Sequence, residues 1–180
     1  MESTFTTCYL GLGSSLGDRL NNLQTAIDML HTPADGMEVI NISPVYESPH
    51  MGLQKEDSQR YPAHLNAVVC VNTSSTPQEL LARIHYIEKV LGRTRTERWA
   101  PRTIDIDILL FGDTSVETPD LHIPHVQMTK RAFVMLPLTD IATELRTIEG
   151  RENFNLFNSD DYCTQAIHRT DYALSIPVLR

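Results

Sequence analysis

The stretch TIDIDILLF at 103–111 constrains this chain more than any other segment, because it alternates apolar and polar residues with a period of two. That period belongs to a β-strand, in which Ile104, Ile106 and Ile108 face one way and Asp105 and Asp107 the other. Aspartate is disfavoured in strands, and like charges on one face, roughly 6.5–7 Å apart, repel. A solvated sheet face is one reading of the pair. A hard cation between the carboxylates is the other, and oxygen donors of this kind suit Mg²⁺, which completes its shell with phosphate oxygens and water.

The residues just before the strand weigh on that choice. RTRTERWAPRT, from 93 to 103, holds Arg93, Arg95, Arg98 and Arg102. Fifteen basic residues stand against 23 acidic ones, for a net charge of −8. Such a balance argues against general binding to nucleic acid or to an anionic membrane. Three of the fifteen are Lys, so a third of the twelve Arg fall within ten residues. Guanidinium groups grip phosphate oxygens bidentately, and arginine with a metal is the recurring kit for phosphoryl transfer. Trp99, the single tryptophan, lies in the same segment, where local packing and ligand contact are equally open readings. GLGSSLGD at 11–18 fits neither GxGxxG nor a P-loop. It reads as a tight turn from strand to helix.

At 180 residues, 41% hydrophobic and 21% charged, the chain suits one soluble domain over 1–180. MESTFTTCYLGLG lacks the basic region and long apolar stretch of a signal peptide, and a cytoplasmic location is expected. Cys8, Cys70 and Cys163 have neither disulfide-framework nor zinc spacing and read as inert core residues. His31 and His168 read as surface residues.

Residues 5–12 are β-prone and end in a glycine turn. Asp18 then caps a helix marked by Leu20, Leu23, Ile27 and Leu30. A strand is expected over 38–46, with Pro44 near an edge or end. A long polar loop follows over 47–62, then a strand over 64–73. Thr76, Pro77 and Glu79 form a capping box for a helix whose face is Leu80, Ile84, Ile87 and Leu91, with Gly92 at its end. The order βαββαβ implies an α+β, ferredoxin-like antiparallel sheet with helices on one face, plus C-terminal additions. The same order builds an RNA-recognition fold, but that calls for aromatic central strands and a basic sheet face. LGL, AVVCV and the acidic net charge speak against it.

Taken together, the segments YLGLGSSLGDR (9–19), SPVYESPHMG (43–52), LNAVV (65–69), ERWAPRTIDIDILLFGD (97–113), IPH (123–125) and RAFVMLPL (131–138) resemble the 6-hydroxymethyl-7,8-dihydropterin pyrophosphokinase family. They span about 9–142 in the family's order, and ERWxPRTxDxDIL is highly specific. The resemblance implies a ferredoxin-like core and transfer of pyrophosphate from ATP to a reduced pterin alcohol, with release of AMP, in folate biosynthesis. An inactive ATP- or pterin-binding relative serving as an interaction domain is the alternative.

Carried over residue by residue, it implies that Asp105 and Asp107 hold two Mg²⁺ ions and that Arg93 and Arg102 are catalytic. Glu88, Arg95, His125, Arg131 and His85 would meet ATP. Ser48, Pro49, Asn66, Trp99 and Phe133 would meet the pterin. Ser15, His50, His64 and His85 depart from the family's usual Asn, Pro, aromatic and Gln. The expected partners are these small molecules, with no nucleic acid and no membrane, and the expected state is a monomer.

Overall fold

The computed structural model describes residues 5–49, 62–93, 101–142 and 165–178. Its elements are β1 (Thr6–Ser14), α1 (Arg19–Leu30), β2 (Met37–Ile42), β3 (Tyr46–Ser48), β4 (His64–Thr73), α2 (Pro77–Val90) and β5 (Asp105–Phe111). Two short strands, β6 (Val116–Glu117) and β7 (His122–Ile123), precede α3 (Ala132–Ile141) and β8 (His168–Arg169). The main sheet runs β5-β1-β4-β3-β8, with β2 also on β4, and the pairings in it are antiparallel. This is the expected ferredoxin-like α+β order. Among the described residues no helix is long and apolar enough to cross a membrane.

Local signals set the helix ends. Asp18 Oδ1 accepts from the Asn21 amide at 3.1 Å and starts α1. Thr76 and Glu79 form the reciprocal capping box of α2, and Gly92, at φ 78°, turns the chain out of it. Leu23, Ile27 and Leu30 of α1 pack with Leu80, Ile84 and Ile87 of α2 against Leu10, Leu12, Val69, Val71, Ile106 and Ile108 of the sheet.

Three features depart from the linear reading. The strand expected over 38–46 is two strands, because Pro44 has no amide to give β4. Ser43 repairs the break: its amide donates to the Val68 carbonyl at 2.9 Å, and its Oγ accepts from the Val68 amide at 2.9 Å. Second, β5 does not alternate to its end. Tyr9 pairs with Leu110 and Leu10 with Ile108, so Leu109 is a bulge. Beyond it the phase flips. Leu109 and Leu110 both join Val68, Val134, Met135 and Leu138 in a second core under α3, on the face opposite α1 and α2. Third, His31 is buried, with Nδ1 accepting from the Val39 amide at 3.2 Å, whereas His168 is exposed as expected.

Cys8 and Cys70 are buried free thiols, as read from their spacing, and burial pushes Cys8 up to about 12. Cys163 lies outside the described residues. The segment 165–178 returns to the sheet: His168 and Arg169 pair with Glu47 and Tyr46, extending it beyond β3.

Ser43 yields a test. Ser43→Ala strands the Val68 amide inside the core, and an unsatisfied buried donor costs about 1–3 kcal/mol. The urea midpoint should fall accordingly with its slope unchanged. An unaltered midpoint would show that Ser43 does not bridge the break.

Candidate functional site

Antiparallel register puts Gly13 opposite Asp105 on one side and Asn66 on the other, while Gly11 lies between Asp107 and Val68. Successive residues of a strand alternate faces, so these rows share the face opposite Ile106 and Ile108. No side chain on β1 therefore separates the β5 carboxylates from Asn66. A Cβ added at Gly13 would lie 3.4 Å from Asn66 Oδ1, and one at Gly11 3.4 Å from Leu109. The glycines are thus strand residues forming a floor, not the turn expected past residue 12. The turn comes later, at Gly17, with φ 65°. Their period of two, matching that of the aspartates, was the available signal.

Above this floor opens a cleft of about 720 Å³, a size that takes a small molecule. Arg93, Arg102, Asp105, Asp107, His125 and Arg131 line it, as do Ser48, Pro49, Asn66 and Phe133. A side pocket of about 280 Å³ adds His85 and Glu88 and shares Arg93, Asp105, Asp107 and His125. Twelve of the fourteen residues singled out from sequence thus meet around two adjoining cavities. The other two, Arg95 and Trp99, lie outside the described residues.

The charges at one end are interlocked. Glu88, 3% exposed, accepts from the Ile106 amide at 3.0 Å, so a carboxylate of α2 satisfies the open edge of β5. Burial raises its pKa, and the bonds from Ile106 and Arg93 oppose that rise. Arg93 pairs with Glu88 and, at 2.7 Å, with Asp105 Oδ1. Arg102 pairs with Asp105 Oδ2. Its backbone is clasped by Ser15, whose amide donates to the Arg102 carbonyl and whose Oγ accepts from the Arg102 amide, each at 3.0 Å. In the sequence Ser15 stands out only as a departure from the family's usual Asn. Nothing local shows that it meets a residue 87 positions later.

Asp107 is held far less firmly. Arg131 Nη1 and His125 Nε2 both stand 4.0 Å from its Oδ2. Burial in the cleft, then the charge of Asp105, push its carboxyl up to about 6. The side chain is still 41% exposed, so the shift reflects depth and like charge rather than complete enclosure. Burial, followed by the Arg131 charge, lowers the pKa of His125 and favours the neutral ring. The bulge positions that histidine, because the Leu109 carbonyl accepts from the His125 amide at 3.0 Å.

At the other end Asn66 Nδ2 donates to Ser48 Oγ at 2.9 Å, which orients the buried amide. The Arg131 guanidinium lies 5.8 Å from the centre of the Phe133 ring. The donor set fits a hard cation: Asp105 and Asp107 are carboxylates on one face, and Asp107 lacks a close counter-charge among the described residues.

The model of the family 7,8-dihydro-6-hydroxymethylpterin-pyrophosphokinase (HPPK) matches residues 9–143. A Bacillus subtilis protein named 2-amino-4-hydroxy-6-hydroxymethyldihydropteridine pyrophosphokinase is 42% identical over 137 residues, covering 76% of this chain and 78% of its own length. A protein of the same name from Aquifex aeolicus is 42% identical over 135 residues, 75% of this chain and 79% of its own. In three dimensions the chain is similar to wild-type Plasmodium falciparum HPPK-DHPS crystallised with pteroate, with TM-score 0.57 and 16% identity. That likeness bears on the fold alone. It covers 76% of this chain, which spans 41% of the solved one.

The pKa of Asp107 dictates a stability test. A carboxyl raised in the folded state opposes folding once ionised: the penalty is full above the folded value and gone below the unfolded one. Without divalent cations, Asp107→Asn should therefore melt higher than the parent at about pH 7.5, the gain vanishing by about pH 4. Equal melting temperatures across that range would show that Asp107 carries no such strain.

Proposed function

Because the chain belongs to the 7,8-dihydro-6-hydroxymethylpterin-pyrophosphokinase family, we propose that it transfers a pyrophosphoryl group from ATP to 6-hydroxymethyl-7,8-dihydropterin and releases AMP, in folate biosynthesis. One observation carries the reading. A single cleft joins two carboxylates and two arginines at one end to an oriented amide, a serine and an aromatic ring at the other. The first set suits a polyphosphate. The second suits a flat heterocycle rich in donors and acceptors.

In the reaction the hydroxymethyl oxygen attacks the β-phosphorus of ATP. A new O–P bond forms there, the bond to the oxygen bridging the α- and β-phosphorus breaks, AMP leaves with that oxygen, and the hydroxyl proton passes to water. Two Mg²⁺ ions held by Asp105 and Asp107 would supply neutralisation of phosphate charge. Both oxygens of Asp105 are paired, one with Arg93 and the other with Arg102. With cations held at Asp105, those guanidinium groups would be available to phosphate oxygens.

Their bidentate forks then suit the oxygens of the transferred group. Arg131 and neutral His125 border the same end, and His85 and Glu88 line the side pocket assigned to the rest of the nucleotide. Arg95 is assigned to ATP as well. Asn66 and Ser48, with Pro49 beside them, would read the pterin edge, and Phe133 its face. Trp99 is assigned to the pterin on the family motif. Rate enhancement comes from positioning and charge stabilisation rather than from a strong base.

Incubation with Mg-ATP and the pterin alcohol should release AMP and the pyrophosphorylated pterin. ADP as the nucleotide product, or no turnover, would refute the reading and in the second case favour an inactive relative. Arg102→Lys keeps the charge and loses the fork, so kcat should fall about 100-fold with little change in ATP affinity. An effect confined to KM would make Arg102 a ground-state contact.

A further inference from the structure

Helix α3 begins without a cap of its own, since Arg131 at its N-cap position makes no side-chain bond to the helix. The Ala132 amide donates instead to Gln165 Oε1 at 3.0 Å, and Gln165 Nε2 donates to the Lys130 carbonyl at 3.2 Å. Ala166 follows with φ 51°, a left-handed conformation that costs an alanine free energy and persists where its surroundings over-determine it. Those surroundings are specific. Ile167, half-buried, packs against the second core, and His168 and Arg169 pair with β3. Thr170 then donates to the Val45 carbonyl from its amide at 2.9 Å and from Oγ1 at 3.0 Å.

Six residues beyond the family match therefore run from the start of α3 to β3. Lys130, Arg131 and Phe133 line the cleft from the α3 side, and Ser48 and Pro49 line it from the β3 side. We infer that residues 165–170 are a strap setting the separation of these two walls, with Gln165 and Thr170 as positioning residues for the pterin end. The inference rests on the reading of the cleft as a pterin site. A segment that merely shielded the edge of β3 would leave ligand affinity untouched.

The test compares the full-length chain with three single variants, titrated separately with the pterin alcohol and with Mg-ATP. Gln165→Ala removes the α3 anchor and Thr170→Pro the β3 anchor. Gln24→Ala cuts the bonds between α1 and Ser175, further along the same segment and away from both walls. The first two should raise the pterin Kd about fivefold to tenfold, as expected for losing a cap or an equivalent bond, and raise the ATP Kd clearly less, since Arg131 is the one residue of the two walls that the reading gives to ATP.

Gln24→Ala should change neither. Hydrogen exchange of Gln165→Ala should quicken at Ala132 and, through the strap, at Thr170 on the far wall. An unchanged pterin Kd in Gln165→Ala would overturn the inference. So would equal weakening of pterin and ATP, or an equal effect from Gln24→Ala. If Thr170→Pro does not fold, Gln165→Ala decides alone. A parent chain that binds no pterin would refute the functional reading. The strap would then stand or fall on whether Gln165→Ala speeds exchange at Thr170.

Discussion

Glu88 is a carboxylate almost shut off from solvent, and its Oε1 is held by both the Ile106 amide and the Arg93 guanidinium. Burying a charge is costly unless it is both paired and hydrogen-bonded, so this contact couples the end of α2 to the outer edge of β5. Arg93 passes the coupling on to Asp105, and Asp105 to Arg102. Four ionised groups from a helix, the turn after it, a strand and the loop before it thereby neutralise one another. The carboxylate–arginine end of the cleft depends on that chain of contacts.

The network divides the labour between two aspartates that look equivalent in sequence. Asp105 is compensated by protein, while Asp107 sits beside it with Arg131, its nearest guanidinium among the described residues, 4.0 Å away. An enzyme that must bring cations and phosphates together gains from such asymmetry. One carboxylate organises the arginines, and the other keeps unmet demand for positive charge.

The cleft itself is made by what is missing. Gly11 and Gly13 remove two side chains from the middle of the face, and α3 covers β3 and β4 beyond them. The bulge at Leu109 ends the acidic stripe and turns a backbone carbonyl toward His125. Floor, wall and histidine thus follow from strand register and one inserted residue.

Periodicity alone identified which side chains of a segment share a face, because the direction of a side chain is set by its own backbone. It separated Asp105 and Asp107 from the isoleucines, marked the buried stripes of α1 and α2, and with Thr76 and Glu79 located a helix start. The specific ERWxPRTxDxDIL pattern carried the family and four of the fourteen candidate site residues, Trp99, Arg102, Asp105 and Asp107. Tertiary structure decided what depends on partners far along the chain. Pro44 was visible, but not that Ser43 would bridge to Val68. The glycines were visible as a turn, not as a floor, since their role exists only once β1 lies between β4 and β5. The clasp of Ser15 on Arg102 and the cap of Gln165 on α3 join residues 87 and 33 positions apart. No local pattern encodes such contacts, because their energy arises only when the sheet register has brought the two segments together.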